Sequence, residues 1–417
     1  MKHYMKYLSA AVFVLLFCIP LAAIPVPHRV LLVMDTNSQD SITVGNHYRT
    51  KRGIPSTNIV LVGINATDRS RNYYDSGAFT RFTNDLLQPI LNAMNDRGLS
   101  NDIDYIVLSY GIPVRMRRAG ASVDTSVASY MATYEHYSNV SDWMGMPVSI
   151  SAATNRPFSC TNAYAPYRYR LVSHLYAYTP SDVMKGIDNA FIGDGTQAAV
   201  KSGRWVLQIG PYSVLPQTEG TNCATNWRNN YGLPSDWYAG TYNYKTANIT
   251  NVVVMLHGGT YSGYNPGNYL TYLPTNMAVS GAYAEAHESY GCVPDSFFET
   301  RLQTQFPESL YYRLGYATYS GAVAEPYLGF LKASSSTNDA NNLRAMLLQG
   351  FTTLEASFFA SWSRSRGPNT FVGDPLSRPF IAAPAVSFAL AHGAMVSGSA
   401  AVSVNASSSA GIGRTEL

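Results

Sequence analysis

Strongly apolar runs alternate with segments of helical periodicity in the first part of this chain, and that alternation restricts the fold more than any other feature. The runs are RVLLVMDT (29–36), NIVLVGI (58–64) and DYIVLSYGIPV (104–114). Continuous apolar runs are typical of strands that helices cover on both faces. Parallel strands also need long crossovers, which helices supply. The order therefore predicts an α/β domain with a mostly parallel sheet flanked by helices.

The segments between these runs carry helix signals. Ser38 is a candidate N-cap, and the helix after it is predicted to stop at Gly53. Apolar residues recur at helical spacing from Phe79 to Met94 and end at Gly98, so we expect a second helix with one buried stripe.

The same pattern resumes after a polar, Tyr-rich insertion near residues 130–168. The later strand-like runs are VVVMLHGG (252–259), MAVSGAYAEA (277–286) and YATYSGAVAE (316–325). VVVMLHGG is continuous and β-branched, which indicates a central strand. We expect it to neighbour the three strands of the first part in one sheet.

The N-terminus has the composition of an export signal. Lys2 and Lys6 precede an apolar run, Leu8 to Ala23, with small residues at its end. That run is shorter than the roughly 20 residues that a membrane-spanning helix needs, and Pro20 interrupts it. We therefore expect a removable signal peptide at residues 1–23 and a secreted protein, periplasmic, cell-surface or extracellular, with no membrane segment after processing.

The sequence pattern changes near Pro384. From there to Leu417 apolar and polar residues alternate without helix signals, which is the period of a β-strand. Two strands alone are not stable, so this segment resembles the start of a truncated, Ig-like β-sandwich. The predicted division is an α/β domain over 24–383, followed by a linker and partial β-sandwich over 384–417.

The charge balance argues against a nucleic-acid partner. Loss of the signal peptide removes two lysines and no acidic residue, so the 29 basic residues fall to 27 against 26 acidic ones. Phosphate binding needs a concentrated cationic face, which this balance does not supply. Charged residues are 13% of the chain and tyrosine contributes 31 residues, so an uncharged, polar surface is expected. Such a surface suits an extracellular protein or polysaccharide as partner, although tyrosine also fills cores.

His257 is the first candidate functional residue. It ends a strand-like run and precedes Gly258 and Gly259, where backbone can approach a ligand closely. Sites in open α/β sheets form beyond the carboxyl ends of strands. His-Gly-Gly also occurs in the oxyanion loops of lipases and esterases, but the chain lacks a G-x-S-x-G nucleophile motif, which argues against a serine hydrolase. The alternative is a histidine held in a turn by a backbone hydrogen bond.

Cys292, beyond the next predicted strand, is the candidate partner of His257. Of the four cysteines, Cys18 leaves with the signal peptide, and Cys160, Cys223 and Cys292 remain. An odd number in an oxidising compartment predicts one disulfide and one thiol. A thiol and an imidazole at neighbouring strand ends could form a nucleophile and base pair. A disulfide of Cys292 with Cys160 or Cys223, or an inert packed thiol, is the alternative.

Two further residues could complete such a site. His287 lies at the same strand end as Cys292 and could orient or replace either partner. Glu325 follows a strand and precedes Pro326, so it could face the site. The chain has no H-E-x-x-H or other recognised metal spacing, so neither a metal site nor a cofactor is predicted.

Two carboxylates lie in apolar sequence surroundings, Glu355 in TTLEASFF and Asp374 in FVGDPLSRPF. A buried carboxylate without a partner is costly, so each should be paired. Arg378 and Arg366 are the candidate partners, and a structural role is expected for Glu355.

Several blocks of the chain resemble an uncharacterised family of exported bacterial proteins associated with exosortase-type sorting systems. The matching blocks, in order along the chain, are residues 30–55, 104–115, 171–188, 281–291, 317–328 and FVGDPLSRPF at 371–380. The family has no established activity, so the resemblance implies export and a shared fold alone.

More distantly, the order hydrophobic strand, His-Gly, hydrophobic strand, Cys resembles the gingipain-type branch of caspase-haemoglobinase cysteine peptidases. That resemblance implies a caspase-haemoglobinase-like sheet, with His257 as general base or acid and Cys292 as nucleophile. The sequence departs from the pattern, because those peptidases place cysteine directly at the strand end, which here lies nearer residues 287–289. Two functions therefore stay open: a cysteine-peptidase-like hydrolase, and a non-catalytic extracellular module that binds protein or polysaccharide through a Tyr-rich surface.

Overall fold

A computed structural model gives the fold. It describes residues 27–117, 124–134, 170–198, 202–209, 217–239, 249–258, 277–287, 290–293, 308–324, 337–362, 367–380, 385–388 and 404–407. The predicted signal peptide at 1–23 lies outside these residues.

Ten strands of the described part form one sheet. They are β1 (Val30–Asp35), β2 (Ile59–Val62), β4 (Tyr105–Leu108), β7 (Leu171–His174), β8 (Arg204–Ile209), β9 (Ser235–Ala239), β10 (Val252–Gly258), β11 (Ala278–His287), β12 (Thr318–Ala322) and β13 (Asn369–Gly373). Their order across the sheet is β2-β1-β4-β7-β13-β12-β11-β10-β8-β9.

Two sets of parallel strands make up this sheet. Strands β2, β1, β4 and β7 form one set, and β12, β11, β10, β8 and β9 form the other. Strand β13 lies between them, antiparallel to β12, and meets β7 at the pair Val372 and His174. The predicted α/β class with a mostly parallel sheet is confirmed.

The predicted neighbours are confirmed only in part. Strand β1 lies between β2 and β4, as expected for the first three runs. The expectation that VVVMLHG, now β10, would also neighbour them is wrong, because β7, β13, β12 and β11 separate it from β4. Later segments of the chain fill the middle of the sheet, and no local pattern records where a returning strand inserts.

Eight helices of the described residues pack around the sheet. They are α1 (Gln39–Arg52), α2 (Ala66–Arg71), α3 (Phe79–Arg81, continuing through the π-helical Phe82–Leu87 to Gln88–Asp96), α4 (Val127–Thr133), α5 (Pro180–Gly193), α6 (Gln217–Tyr231), α7 (Thr337–Gln349) and α8 (Thr353–Ser357, continued by a π turn, Phe358–Trp362). The predicted ends of α1 are confirmed: the Ser38 side chain accepts from the Ser41 N–H, and Gly53 has a φ of 67°.

Helices α5 and α8 cover opposite faces of β12. The Thr318 hydroxyl lies 3.2 Å from that of Thr353 in α8. The next residue, Tyr319, packs edge-on against Tyr312 at 5.2 Å between ring centroids. Tyr312 lies so close to Gly186 of α5 that a Cβ there would be 2.3 Å from its ring. Because successive strand residues point to opposite faces, the sheet is sandwiched between these helices.

Tyrosine accounts for most of the largest side chains in the core. The largest fully buried side chains of the described residues are Trp205, Trp227, Tyr48, Tyr74, Tyr105, Tyr283, Tyr311, Tyr312, Tyr316 and Tyr319. The high tyrosine content therefore builds the interior in this part of the chain, which is the structural alternative to a tyrosine-rich binding surface.

The buried carboxylates are paired, but the partners seen in the described residues do not include the expected Arg378, and the other expected arginine, Arg366, lies outside those residues. Asp374 accepts a hydrogen bond from the Tyr48 hydroxyl at 2.9 Å and forms an ion pair with Arg52 of α1. Glu355 accepts from the Tyr105 hydroxyl at 2.7 Å. The backbone N–H of Arg378 instead donates to Asp194. These partners are distant in sequence, so the pairing becomes visible only in the folded structure.

Two smaller sheets accompany the main one. Strands β3 (Tyr73–Tyr74), β5 (Arg115–Met116) and β6 (Thr125–Ser126) form the first. Strands β14 (Ala385–Phe388) and β15 (Val404–Ser407) pair antiparallel in the second, within the segment expected to start a β-sandwich. The domain boundary near residue 384 stays a prediction.

Candidate active site

Three parallel strands, β10, β11 and β12, end side by side at the edge where the sequence predicts the site. His257 of β10 is opposite Ala286 of β11, and Gly258 is opposite His287. Adjacent strands lie about 4.8 Å apart. The register therefore brings the backbones of His257 and His287 to neighbouring strand ends.

Cys292 is attached to a different strand from the one that precedes it. Its backbone N–H donates to the carbonyl oxygen of Ala322, the last residue of β12, over 2.9 Å. Strand β11 lies between β10 and β12. As a result, His287 rather than Cys292 ends the strand beside His257, and Cys292 lies at the end of the strand beyond.

The side chain of Cys292 is a reduced thiol with 0% exposure. Burial raises the pKa of Tyr312 well above its ordinary value, with smaller contributions from Asp374 and then Cys292. The Val293 N–H donates to the Tyr290 carbonyl at 3.0 Å and closes a turn around Cys292. Reaction at this thiol requires that the turn move and let a substrate reach it.

A buried polar cluster lies on β11 just before His287. The Tyr283 hydroxyl is 2.7 Å from a Glu285 carboxylate oxygen, 2.6 Å from the Ser320 hydroxyl and 3.0 Å from that of Ser357. Burial, followed by the charge of Glu285, raises the pKa of Tyr283 well above its ordinary value. The sequence analysis did not find this cluster, although the alternation Tyr283, Glu285, His287 in AYAEAH was the available signal.

A second cluster, around Arg115, contacts the turn that carries Cys292. The Arg115 guanidinium lies 4.2 Å from the Tyr73 ring centroid and 5.8 Å from that of Tyr290. Asp124 accepts from the Tyr73 hydroxyl at 2.9 Å and from Arg117 at 2.6 Å, and lies 3.6 Å from Arg115. Burial, followed by Asp124, raises the pKa of Tyr73 to about 12. Tyr290 has a φ of 60°, an uncommon conformation for a side chain of this size.

His174, at the carboxyl end of β7, is a buried histidine that the sequence analysis did not single out. Neither ring nitrogen has a hydrogen-bond partner, and burial lowers the pKa of His174 to about 3. The imidazole is therefore neutral at any pH near neutrality. Nothing in LVSHLYAY distinguishes a buried histidine from an exposed one.

The predicted disulfide does not involve either of the two cysteines in the described residues. Cys223 and Cys292 are both reduced and buried. Cys223 lies on α6, with its sulfur 3.9 Å from the Asn341 side-chain oxygen of α7, whereas Cys292 lies at the end of β12. Burial raises the pKa of Cys223 to about 11, so this thiol stays protonated. The predicted reduced state of Cys292 agrees with the structure, and the alternative, a disulfide with Cys160 or Cys223, does not.

Glu325, the fourth candidate residue, lies outside the described residues, just after the end of β12. Within the described residues no group of histidine, cysteine and carboxylate side chains is arranged to hold a metal ion. A search of the same residues also finds no helix with the length and apolarity to cross a membrane.

Comparisons with known proteins give one distant structural match. No protein-family model matches the chain, and no curated protein matches its sequence. A solved structure described as "Structure of Protease" aligns with a TM-score of 0.43 and 13% sequence identity, covering 92% of this chain and 85% of that chain. A TM-score this low does not establish a shared fold.

Proposed function

We propose that the protein is a secreted hydrolase of the cysteine-peptidase type. The proposal rests on one observation: the backbones of His257, His287 and Cys292 all lie at the carboxyl edge of β10, β11 and β12. Ligands of α/β sheets bind at that edge. Glu325, which follows β12 in sequence, is the fourth member of the proposed site.

In this proposal His257 removes the proton from the Cys292 thiol, and the thiolate attacks the carbonyl carbon of a peptide bond. The resulting tetrahedral adduct expels the amine, which takes the proton from His257, and leaves a thioester on Cys292. Water then attacks the thioester, gives a proton to the histidine and releases the acid. His287 and Glu325 are assigned to orienting the imidazole or replacing it as base.

The complete burial of Cys292 favours a second candidate, a non-catalytic extracellular module that binds protein or polysaccharide. A nucleophile shut off from solvent cannot react until its turn opens. Because many tyrosines of the described residues are in the core, such a module would bind through other parts of its surface. The two candidates differ in the reactivity of one thiol.

Labelling with an iodoacetamide probe across pH, followed by peptide mass spectrometry, separates these candidates. The peptidase proposal predicts that Cys292 reacts below the ordinary thiol pKa of about 8.5 and that His257→Ala removes this advantage. Cys223 is an internal reference for an inert thiol, since its pKa is raised to about 11. His47 of α1, which pairs with Asp188 of α5, supplies the matched control, and His47→Ala should leave labelling unchanged.

Two further results decide the matter. Hydrolysis of a mixed peptide library that Cys292→Ser abolishes and Cys223→Ser preserves would support the peptidase proposal. Labelling of Cys292 only in urea, without peptide hydrolysis, would leave the binding module as the function.

A further inference from the structure

Arg344 of α7 is a buried cation held between aromatic rings. Its side chain is 6% exposed, and its guanidinium carbon lies 3.5 Å from the Tyr231 ring centroid and 5.7 Å from that of Trp227. Its Nε and Nη1 atoms are enclosed and have no hydrogen-bond partner. A guanidinium carries five N–H donors in one plane, so most of its binding capacity is unused.

Two other arginines with enclosed side chains, Arg29 and Arg52, have carboxylate partners. Arg29 pairs with Asp104, and Arg52 pairs with Asp374 and Asp194. No carboxylate of the described residues pairs with Arg344. A cation–π contact contributes about 0.5–2 kcal/mol, whereas burying an unpaired charge costs several kcal/mol. The arrangement therefore lacks an anion.

Asp236, on the strand that follows α6, is engaged by two other arginines. Asp236 of β9 lies 2.6 Å from Arg204 and 3.8 Å from Arg228, which precedes Tyr231 on α6. Burial raises the pKa of Cys223 on α6, and the positive charge of Arg344 partly opposes that rise. Among the described residues, the positive charge of Arg344 between α6 and α7 therefore has no counter-ion.

We propose that Arg344 and Tyr231 form a binding site for a single carboxylate group, from a small organic acid or an acidic peptide. Tyr231 covers one face of the guanidinium, which leaves its planar edge to bind a planar carboxylate through two parallel hydrogen bonds. One positive charge matches one carboxylate better than a phosphate dianion. The Asn341 side-chain oxygen accepts from the Trp227 indole N–H at 2.6 Å and fixes that ring beside the site.

This site is separate from the proposed active site. Tyr231 is the last residue of α6, which connects the carboxyl end of β8 to the amino end of β9. It therefore lies near the amino edge of the sheet, whereas His257 lies at the carboxyl edge. The carboxylate site does not depend on whether the protein is a hydrolase.

The test follows arginine Nε–H resonances by NMR while the whole mature protein is titrated with sodium acetate, N-acetylglutamate or inorganic phosphate at constant ionic strength. Arg344→Lys assigns the Arg344 signal. Saturable shifts with both carboxylates, with a Kd on the order of 1–10 mM for one ion pair, are expected. Phosphate should bind at least about tenfold more weakly. Tighter binding of a Glu-containing peptide than of acetate would identify peptide as the source.

Arg313 is the matched control, because its guanidinium also lies over a tyrosine, 4.5 Å from the Tyr178 ring, but it already pairs with Asp182 at 3.1 Å. Its resonance should not move. Acetate should also raise the Tm of the wild type but not of Arg344→Met, a variant that removes the charge and keeps a long apolar side chain. No saturable shift, equal shifts at Arg344 and Arg313, or preference for phosphate would overturn the proposal.

Discussion

The hydroxyl of Tyr105, the first residue of β4, donates a 2.7 Å hydrogen bond to the carboxylate of Glu355 in the first turn of α8, 250 residues further along the chain. The other carboxylate oxygen of Glu355 accepts from the Thr352 backbone N–H at 2.7 Å and completes a capping box. The Glu355 carboxylate therefore connects the first set of parallel strands to α8, and Thr353 of the same helix contacts Thr318, the first residue of β12, in the second set.

Glu355 is expected to make the protein less stable as pH rises. Burial raises the pKa of Glu355 from 4.5 to about 7. Between these values the folded protein keeps a proton that the unfolded chain releases, so stability present at low pH is lost as pH rises through about 7. The shift corresponds to about 3 kcal/mol. In urea unfolding, Glu355→Gln should remove this decrease of the unfolding free energy with pH. The control Asp96→Asn, on an exposed helix end, should keep it. An unchanged pH dependence in Glu355→Gln would contradict the assignment.

His174 is expected to act in the opposite direction. Burial lowers the pKa of His174 from 6.5 to about 3, so the unfolded chain takes up a proton first as the solution is acidified. Stability present above about pH 6.5 is therefore lost as pH falls toward 3, by about 2 kcal/mol at pH 5. His174→Leu should remove this acid sensitivity.

The two opposing effects overlap between about pH 4.5 and 6.5, so the wild type should respond to pH less than either variant. Urea midpoints at pH 5 and 7 should diverge in opposite senses: the stability of Glu355→Gln rises with pH and that of His174→Leu falls. Parallel changes in the two variants would show that one of the groups titrates normally in the folded state.

Local signals predicted the elements but not their arrangement. Apolar runs and the caps at Ser38 and Gly53 defined β1 and α1 because each signal lies within a few residues of its effect. Strands of two residues, such as Tyr73–Tyr74, are too short to show a period. The position of β13 between β7 and β12 depends on where a returning segment inserts, and only non-local packing determines that.

The same distinction explains the outcome at the candidate site. Strand ends are local features, so His257 and His287 could be expected near one edge. The attachment of Cys292 to Ala322 of β12 is a contact between separate segments, and so are its burial and the packing of Arg115 on Tyr290. A sequence pattern can name a thiol, but it does not report whether solvent reaches it.

Asp374 should be among the most sensitive polar positions. It binds the Tyr48 hydroxyl, the Arg52 guanidinium and the Leu376 backbone N–H. Asp374→Asn keeps the shape but removes the charge that balances Arg52 in the interior, at a cost of about 3 kcal/mol. The exposed pair of Lys51 with Asp188, 2.8 Å apart, is the control.

Asp188→Asn should change the unfolding free energy by less than about 0.5 kcal/mol, since solvent screens surface pairs. Both variants can be compared by urea unfolding at pH 7. A loss at Asp374 no larger than that at Asp188 would mean that the Arg52 pair is replaced by water or by Asp194 alone.

The contact between Gly193, the last residue of α5, and Gly281 of β11 should tolerate no side chain. A Cβ on Gly193 would lie 2.1 Å from the Gly281 nitrogen, and Gly281 itself has a φ of 83°. Backbone cannot yield as a side-chain tip can, so Gly193→Ala must push α5 away from β11, at an expected cost of about 3 kcal/mol or more.

Gly232 isolates the effect of conformation, because its φ is 64° but a Cβ there meets nothing within 4 Å. Gly232→Ala should cost about 1–2 kcal/mol. Gly193→Ala should also weaken hydrogen-exchange protection along β11, the strand that ends at His287, whereas Gly232→Ala should not. Equal protection of β11 in the two variants would show that α5 does not hold this strand in place.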